Sequence, residues 1–361
     1  MLRIFAFILF FTATCGAVTA QFAPQRQLFA EPAESALDID LNKHLNSEMI
    51  GIDEFISNTN SESFSSYENL AIYLSEQFND PERLSRSIYT WIALNISYDQ
   101  SSVSNADRDN QSARQVWKNR SAVCEGYASL FNEMCSAAGI ESRIINGYVK
   151  SFAGDDLSYP NHSWNSVKIN GKWRLLDVTW ASVNSEGHMR SNPDLDKNYM
   201  FHKLDHFFLV NPNRMILTHL PEDPLWQLHD NYINLEIFEK GEEVIKSTLR
   251  NSTSGEKDFE QLIADYEKLD SLDKSISYLE RMERNSKNRS REYGLGIAYY
   301  YKAQEILKNA RASNSYKAAQ EAKFFYEKSL SQLAVLQEED FGYEFSKDLA
   351  KNVAFRIEAL K

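Results

Sequence analysis

Cysteine is scarce in this chain of 361 residues, which contains Cys15, Cys124 and Cys135 alone. Cys15 lies in an N-terminal segment that we expect to be removed. The helix predicted around Cys124 and Cys135 would separate them by about 16 Å, too far for a disulfide. The folded protein must therefore derive its stability from an apolar core, for which the chain is long enough.

Basic residues are also in short supply, with 39 Lys and Arg against 51 Asp and Glu and a net charge of −12. No basic stripe is present that could neutralise a phosphate backbone, so we expect no nucleic-acid partner. Beyond the N-terminal segment the sequence also lacks an apolar run long enough to cross a bilayer. We therefore expect no transmembrane segment.

Residues 1–20 have the pattern of a secretory signal peptide, with an apolar run at 4–11 and small residues before Gln21. We expect cleavage there and an exported protein, periplasmic or extracellular. Cys15 leaves a lipid anchor open as an alternative, but the residues before it fit a lipoprotein site poorly. The exported form without a lipid is the preferred interpretation.

The pattern of the remaining chain predicts three parts. Residues 21–66 are a polar arm with one short helix, residues 67–235 mix helix and strand patterns, and residues 236–361 contain amphipathic helices without strand signals. In the third part, residues 294–307 and 316–330 resemble a degenerate tetratricopeptide-type helix pair. One or two such repeats are fewer than the three or so that form a solenoid.

A hairpin places two chemically active residues together. Asn170-Gly171 separates the runs 163–169 and 172–178, and this dipeptide favours a type I′ turn between paired strands. The resulting register makes His162 and Asp177 diagonal neighbours on one face, about 7 Å or less between Cβ atoms. The turn thus predicts a His–Asp hydrogen bond.

Cys124 precedes residues 125–138, whose apolar spacing predicts a helix that Gly139 terminates. A cysteine at a helix N-terminus is stabilised as a thiolate by the partial positive charge there. The free backbone N–H groups at that end could also hold an oxyanion.

Each of these residues also has a structural interpretation. Cys124 could be a small buried packing residue, His162 a strand histidine and Asp177 a cap. The predicted geometry favours catalysis, with Cys124 as nucleophile, His162 as base and Asp177 as orienter. His202 and His206, joined by Asp205 or His219, could imitate a zinc site, but no metal-binding motif accompanies them. We expect no metal and no cofactor.

Several segments resemble the transglutaminase-like superfamily, whose fold is related to papain-like cysteine proteases. They are Val-Cys-Glu-Gly-Tyr-Ala at 123–128, His-Ser-Trp-Asn at 162–165 and Asp-Val-Thr-Trp at 177–180, within a matching stretch of roughly 80–230. Residues 208–212 and 219–228 resemble the kyphoscoliosis-peptidase-like branch. The resemblance implies an α+β core in which the cysteine helix packs on an antiparallel sheet, followed here by an all-α region. It implies the same roles for Cys124, His162 and Asp177.

Two functions follow as hypotheses. The first is an exported enzyme that acts on a protein or peptide substrate through an acyl-thioester, as a peptidase, amidase or protein-glutamine crosslinker. Water as acceptor gives hydrolysis and a lysine amine gives a crosslink, and both stay open. The second is a catalytically silent scaffold that binds protein partners through its C-terminal helices.

Overall fold

The computed structural model describes residues 45–99, 111–150, 157–182, 197–251, 257–282, 289–310 and 316–360. The predicted signal peptide, the first half of the polar arm and most of the loop before Cys124 lie outside these ranges. The described residues form two compact units. The core unit comprises those within 45–222 and 226–260, and the C-terminal unit comprises 223–225 and those within 261–360.

Helices of the core unit surround a small sheet. The helices are α1 Ser47–Ser57, α2 Tyr67–Gln77, α3 Pro81–Asn95, α4 Ala113–Asn119, α5 Cys124–Ala137, α6 Val178–Ala181, α7 Lys197–His206, α8 Pro212–Met215, α9 Leu235–Glu239 and α10 Glu242–Arg250. The strands are β1 Ser97–Tyr98, β2 Ser121–Ala122, β3 Ser142–Val149, β4 His162–Ile169, β5 Lys172–Leu176 and β6 His219–Pro221. This is the predicted α+β architecture.

Local sequence explains where the central helices begin and end. Asp80 caps α3 by accepting hydrogen bonds from the backbone N–H groups of Glu82 and Arg83, and Pro81 occupies the first turn, where its missing N–H costs nothing. Gly139 follows α5 with φ of +78°, the left-handed conformation that glycine adopts without strain.

The main sheet is antiparallel, with strand order β5-β4-β3-β6. Asn170 and Gly171 have φ of 50° and 80°, as a type I′ turn requires, and Ile169 pairs with Lys172. The predicted register of the hairpin is therefore present. The second strand was predicted too long, however: it ends at Leu176, because Asp177 caps the short helix α6.

Helix α1 belongs to the core although it lies in the predicted polar arm. Ile52 and Ile56 are buried, and Asp53 accepts two hydrogen bonds from the Arg86 guanidinium at 2.9 and 2.7 Å and one from the Thr90 hydroxyl at 2.6 Å. This buried network joins α1 to α3. The described part of the arm thus contains a short α-helix, as predicted, but that helix packs against the domain.

The change of pattern near residue 236 marks a change in secondary structure, whereas the compact units divide at residue 260. Helices α9 and α10 still pack in the core unit, where Phe238 and Ile245 join a buried cluster with Tyr148 and Leu220.

The C-terminal unit is helical, as predicted. Its helices are α11 Phe259–Glu267, α12 Ser271–Arg281, α13 Ser290–Ala310, α14 Tyr316–Leu333 and α15 Tyr343–Ala359. Helices α13 and α14 approach closely at Gly296, whose carbonyl accepts a 2.6 Å hydrogen bond from the Ser329 hydroxyl. Within the described ranges, none of the helices combines the length and apolar composition that a bilayer span requires.

Candidate active site

The structure brings together the side chains of Cys124, His162 and Asp177, which the sequence had singled out. Cys124 is the first residue of α5, His162 is the first residue of β4, and Asp177 follows β5. The His162 Nε2 atom lies 2.7 Å from Asp177 Oδ2, and Cys124 is near enough to the same imidazole to help raise its pKa, after Asp177. The imidazole therefore lies between a thiol and a carboxylate.

Helix α5 is fixed against the sheet and against the segment before it. The buried Asn165 amide of β4 donates a 3.0 Å hydrogen bond to the Ala128 carbonyl of α5. The backbone N–H of Val123 donates to Gln111 Oε1 at 3.0 Å. A Cβ atom on Gly126 would lie 2.5 Å from that Gln111 oxygen, so glycine at this position allows the close approach. These contacts hold the start of the helix, and with it Cys124, beside β4.

The Asp177 carboxylate is fully buried and accepts hydrogen bonds at both oxygens. Oδ1 accepts from the backbone N–H of Trp180 at 3.0 Å, which caps α6. Oδ2 accepts from His162 and also from His219 Nε2, at 3.0 Å. A buried carboxylate needs such partners, since burial without hydrogen bonds is costly for an ionised group.

His219 is a site residue to which the sequence assigned no role at this site. It begins β6 and pairs with Val149 of β3. Val149 lies two residues after Gly147, which pairs with His162 on the other side of β3. Because residues i and i+2 of a strand share a face, both histidines project to one side of the sheet. The motif around His219 suggested a family branch, but a three-residue strand is too short for periodicity to reveal.

Indole rings enclose the histidines. The ring centroid of Trp180 lies 4.4 Å from that of His219, and the Trp164 ring stacks near His162 at 6.1 Å. Cys124 is 8% exposed and His162 6%. Cys124 and His162 therefore retain a small exposed area, while the carboxylate of Asp177 behind them has none.

Burial and charge act in opposite directions on these groups. Burial by itself lowers the pKa of His162, but the adjacent Asp177 carboxylate outweighs it and raises the pKa to about 10. Burial would raise the pKa of Asp177, yet the two histidines hold it well below its usual range. Burial lowers the pKa of His219. The site thus contains a carboxylate, a charged imidazole and a neutral one.

Among the described residues, the group of side chains with potential to hold a metal ion is His162, Asp177 and His219. It differs from the set around His202 and His206 that the sequence raised. Its Nε2 and Oδ2 atoms already lie at hydrogen-bonding distances of 2.7 and 3.0 Å. A metal ion would have to replace both hydrogen bonds, so we assign none here.

Comparison with known proteins identifies the domain. Residues 68–178 match the family model of the transglutaminase-like superfamily, a range that includes Cys124, His162 and Asp177. The chain carries a transglutaminase-like domain. Its mixed helices and antiparallel sheet agree with the fold of that superfamily.

Curated proteins are similar to part of this chain. Human kyphoscoliosis peptidase is 32% identical over 170 residues, which are 46% of this chain and 24% of that protein. Drosophila melanogaster hillarin is 33% identical over 125 residues, 32% of this chain and 15% of its own. A solved structure described as a TGase aligns with 34% of this chain and 34% of its own, at 17% identity and a TM-score of 0.26. The chain spans about a quarter of the length of the kyphoscoliosis peptidases it matches.

Proposed function

We propose that this transglutaminase-like protein is a cysteine-dependent acyl-transfer enzyme that acts on a protein or peptide substrate. The observation that carries the proposal is the buried His162 imidazole, whose Nε2 lies 2.7 Å from Asp177 Oδ2 and whose pKa Asp177 and the neighbouring Cys124 raise. A nucleophile, a base and an orienter of that base are the parts that covalent acyl transfer needs.

The proposed reaction has two halves. The Cys124 thiolate forms a bond to the carbonyl carbon of a carboxamide or peptide, and the backbone N–H groups at the start of α5 stabilise the oxyanion. The oxyanion collapses as His162 protonates the leaving amine, which departs and leaves an acyl-thioester. Water or a lysine amine then loses a proton to His162 and attacks the thioester, which releases the product and the thiolate.

Hydrolysis of peptides is the preferred outcome of the second half. The human relative is named a peptidase, and we extend that activity to this chain as part of the proposal. Transfer to a lysine amine is the alternative, and it uses the same residues up to the acyl-thioester.

Paired assays test the proposal. Peptide hydrolysis and incorporation of an amine into glutamine substrates would be measured for wild type, Cys124→Ala, His162→Ala and Asp177→Asn, with Cys135→Ala as the matched thiol control. We expect activity in wild type and the control, and losses of about 10²-fold or more in the three variants. Full turnover by folded Cys124→Ala would refute the assignment of the nucleophile.

Partner binding through the C-terminal helices is a second candidate function. Tyr316 of α14 is 79% exposed, and Phe345 and Phe355 of α15 are 56% and 75% exposed. Exposed aromatic side chains are common at sites of protein association. In this hypothesis the domain is a silent scaffold. Alkylation of Cys124 that follows the pH dependence of an ordinary thiol would favour it over the enzyme.

We also propose that the protein is exported and not lipid-anchored, on the pattern of residues 1–20. Mass spectrometry of the exported protein should find Gln21 at the N-terminus. A diacylated species that begins at Cys15 would contradict this.

A further inference from the structure

His219 contacts the same carboxylate oxygen as His162. We propose that His219 is a positioning residue, which holds the Asp177 carboxylate in the orientation that the His162 imidazole requires. This inference rests on the proposed function, since it concerns a residue that acts through Asp177 and His162 and does not touch the reacting atoms.

The Asp177 carboxylate is held at both of its oxygens. The backbone N–H of Trp180 fixes Oδ1 at 3.0 Å, and His219 Nε2 fixes Oδ2 at 3.0 Å, so neither oxygen depends on His162 for its position. A carboxylate held at one oxygen alone can rotate about its Cβ–Cγ bond. Held at both, it presents Oδ2 to His162 at 2.7 Å in a fixed direction.

The contacts of His219 also define its protonation. An ionised carboxylate is an acceptor only, so the hydrogen on His219 Nε2 must point to Asp177. The other ring nitrogen, Nδ1, lies 2.8 Å from the Thr218 hydroxyl. In the neutral ring this nitrogen accepts a hydrogen bond from Thr218. Asp177 therefore sets the tautomer of His219, and the Thr218 hydroxyl is placed to complement it at Nδ1.

His219 must be neutral because the site has a single carboxylate, Asp177, for two histidines. A second imidazolium at Oδ2 would repel the charged His162 ring, whose centroid is 5.7 Å away. Burial lowers the pKa of His219 and so keeps it a neutral donor. Tyr89 also interacts with Asp177, and burial raises the pKa of its hydroxyl well above the ordinary value. Neither group adds charge at neutral pH.

Strand packing explains how two histidines from separated strands reach one oxygen. β3 lies between β4 and β6, and a Cβ atom on Gly147 would lie 2.6 Å from the Trp164 ring and 2.2 Å from the Leu220 carbonyl. The absence of a side chain at 147 lets the neighbouring strands close over β3. The position of His219 is thus built into the sheet.

The test measures the rate at which iodoacetamide alkylates Cys124 as a function of pH, in wild type and in variants of His219. His219→Leu removes the donor and keeps apolar volume, while His219→Gln keeps an amide N–H that can reach Asp177. Burial raises the pKa of the Cys135 thiol, so labelling reports on Cys124, and Cys124→Ala supplies the blank. Circular dichroism establishes that each variant is folded.

We expect His219→Leu to raise the pH below which Cys124 is no longer alkylated. A loosely held Asp177 carboxylate stabilises the His162 imidazolium less, and the imidazolium in turn stabilises the thiolate less. The rate at mildly acid pH should fall about tenfold, and His219→Gln should restore most of it. Thr218→Val, which removes the hydrogen-bond partner of His219 Nδ1, should produce a smaller shift in the same direction. The Thr218→Val variant provides an independent test of the proposal if His219→Leu does not fold.

Profiles that coincide with wild type in the folded variants would overturn the inference and leave the proposed function standing. A shift to lower pH would also overturn it, because His219 would then compete with His162 for Oδ2. If wild type itself behaves as an ordinary thiol, the proposed function fails first. The three results are distinguishable in one set of measurements.

Discussion

Asp177 is the residue on which the site depends, because each of its oxygens serves a different part of the structure. Oδ1 begins helix α6 by accepting from Trp180, and Oδ2 accepts from the two histidines. The cap that the sequence suggested for this aspartate and its predicted contact with His162 are both made by one buried side chain.

A substitution at the single residue Gly147 tests how closely the strands pack. Gly147→Ala would place a methyl group 2.2 Å from the Leu220 carbonyl, so strand β6 must shift, and overpacking of this kind costs about 1–3 kcal/mol. We expect a lower midpoint of thermal unfolding and slower alkylation of Cys124. Gly51→Ala is the matched control: it lies in α1 with no atom near its Cβ, and should be neutral or stabilising. Equal midpoints for Gly147→Ala and wild type would contradict this account of the sheet.

The parts of the site that belong to elements with a clear local sequence signal could be predicted, and the part on the short strand β6 could not. The Asn170-Gly171 turn fixed the hairpin register, and with it the contact of His162 and Asp177, because backbone conformation at two residues determines every pair beyond them. The helix that starts at Cys124 followed from apolar spacing and Gly139. His219 could not be placed, because three residues carry no periodic signal and its partner Asp177 is distant in sequence.

Helix α1 was underestimated for a related reason. Its principal anchor, Asp53, pairs with Arg86 in another helix, and no local pattern links them. A short helix in a polar stretch then resembles a solvated arm, although its apolar residues are buried.

The same ion pair gives a prediction at the scale of elements. Asp53→Ala would leave the Arg86 guanidinium, which is 1% exposed, without its charge partner, and breaking a buried pair from one side typically costs about 3–5 kcal/mol. Denaturant unfolding should show that loss. Glu54→Ala removes an exposed carboxylate from the same helix and should change the free energy of unfolding by less than about 0.5 kcal/mol. Similar values for the two variants would mean that α1 is not part of the cooperative core.

The pH dependence of stability is a property of the whole molecule. The pKa of His162 is raised to about 10 in the folded state, so its contribution is fully present below its unfolded value of about 6.5 and is lost as pH rises through 10. The pKa of Asp177 is lowered, so its contribution is present above an unfolded value of about 3.9 and is lost only in strong acid. Together they stabilise the fold most between about pH 4 and 6.5.

We therefore expect the free energy of unfolding to decline from about pH 6.5 to 10 in wild type, and this part of the decline to disappear in Asp177→Asn, which cannot raise the pKa of His162. Chemical denaturation at a series of pH values measures both. An unchanged slope in the folded variant would show that the two side chains are not coupled as the structure indicates.

The central claim is that His162 activates Cys124, and the most direct measurement is the rate of Cys124 alkylation by iodoacetamide at about pH 5, in wild type and in His162→Ala. An ordinary thiol is almost entirely protonated at that pH, whereas a thiolate paired with an imidazolium is not. The account predicts that wild type reacts about 10²-fold faster than the variant. Equal rates in two folded proteins would contradict it.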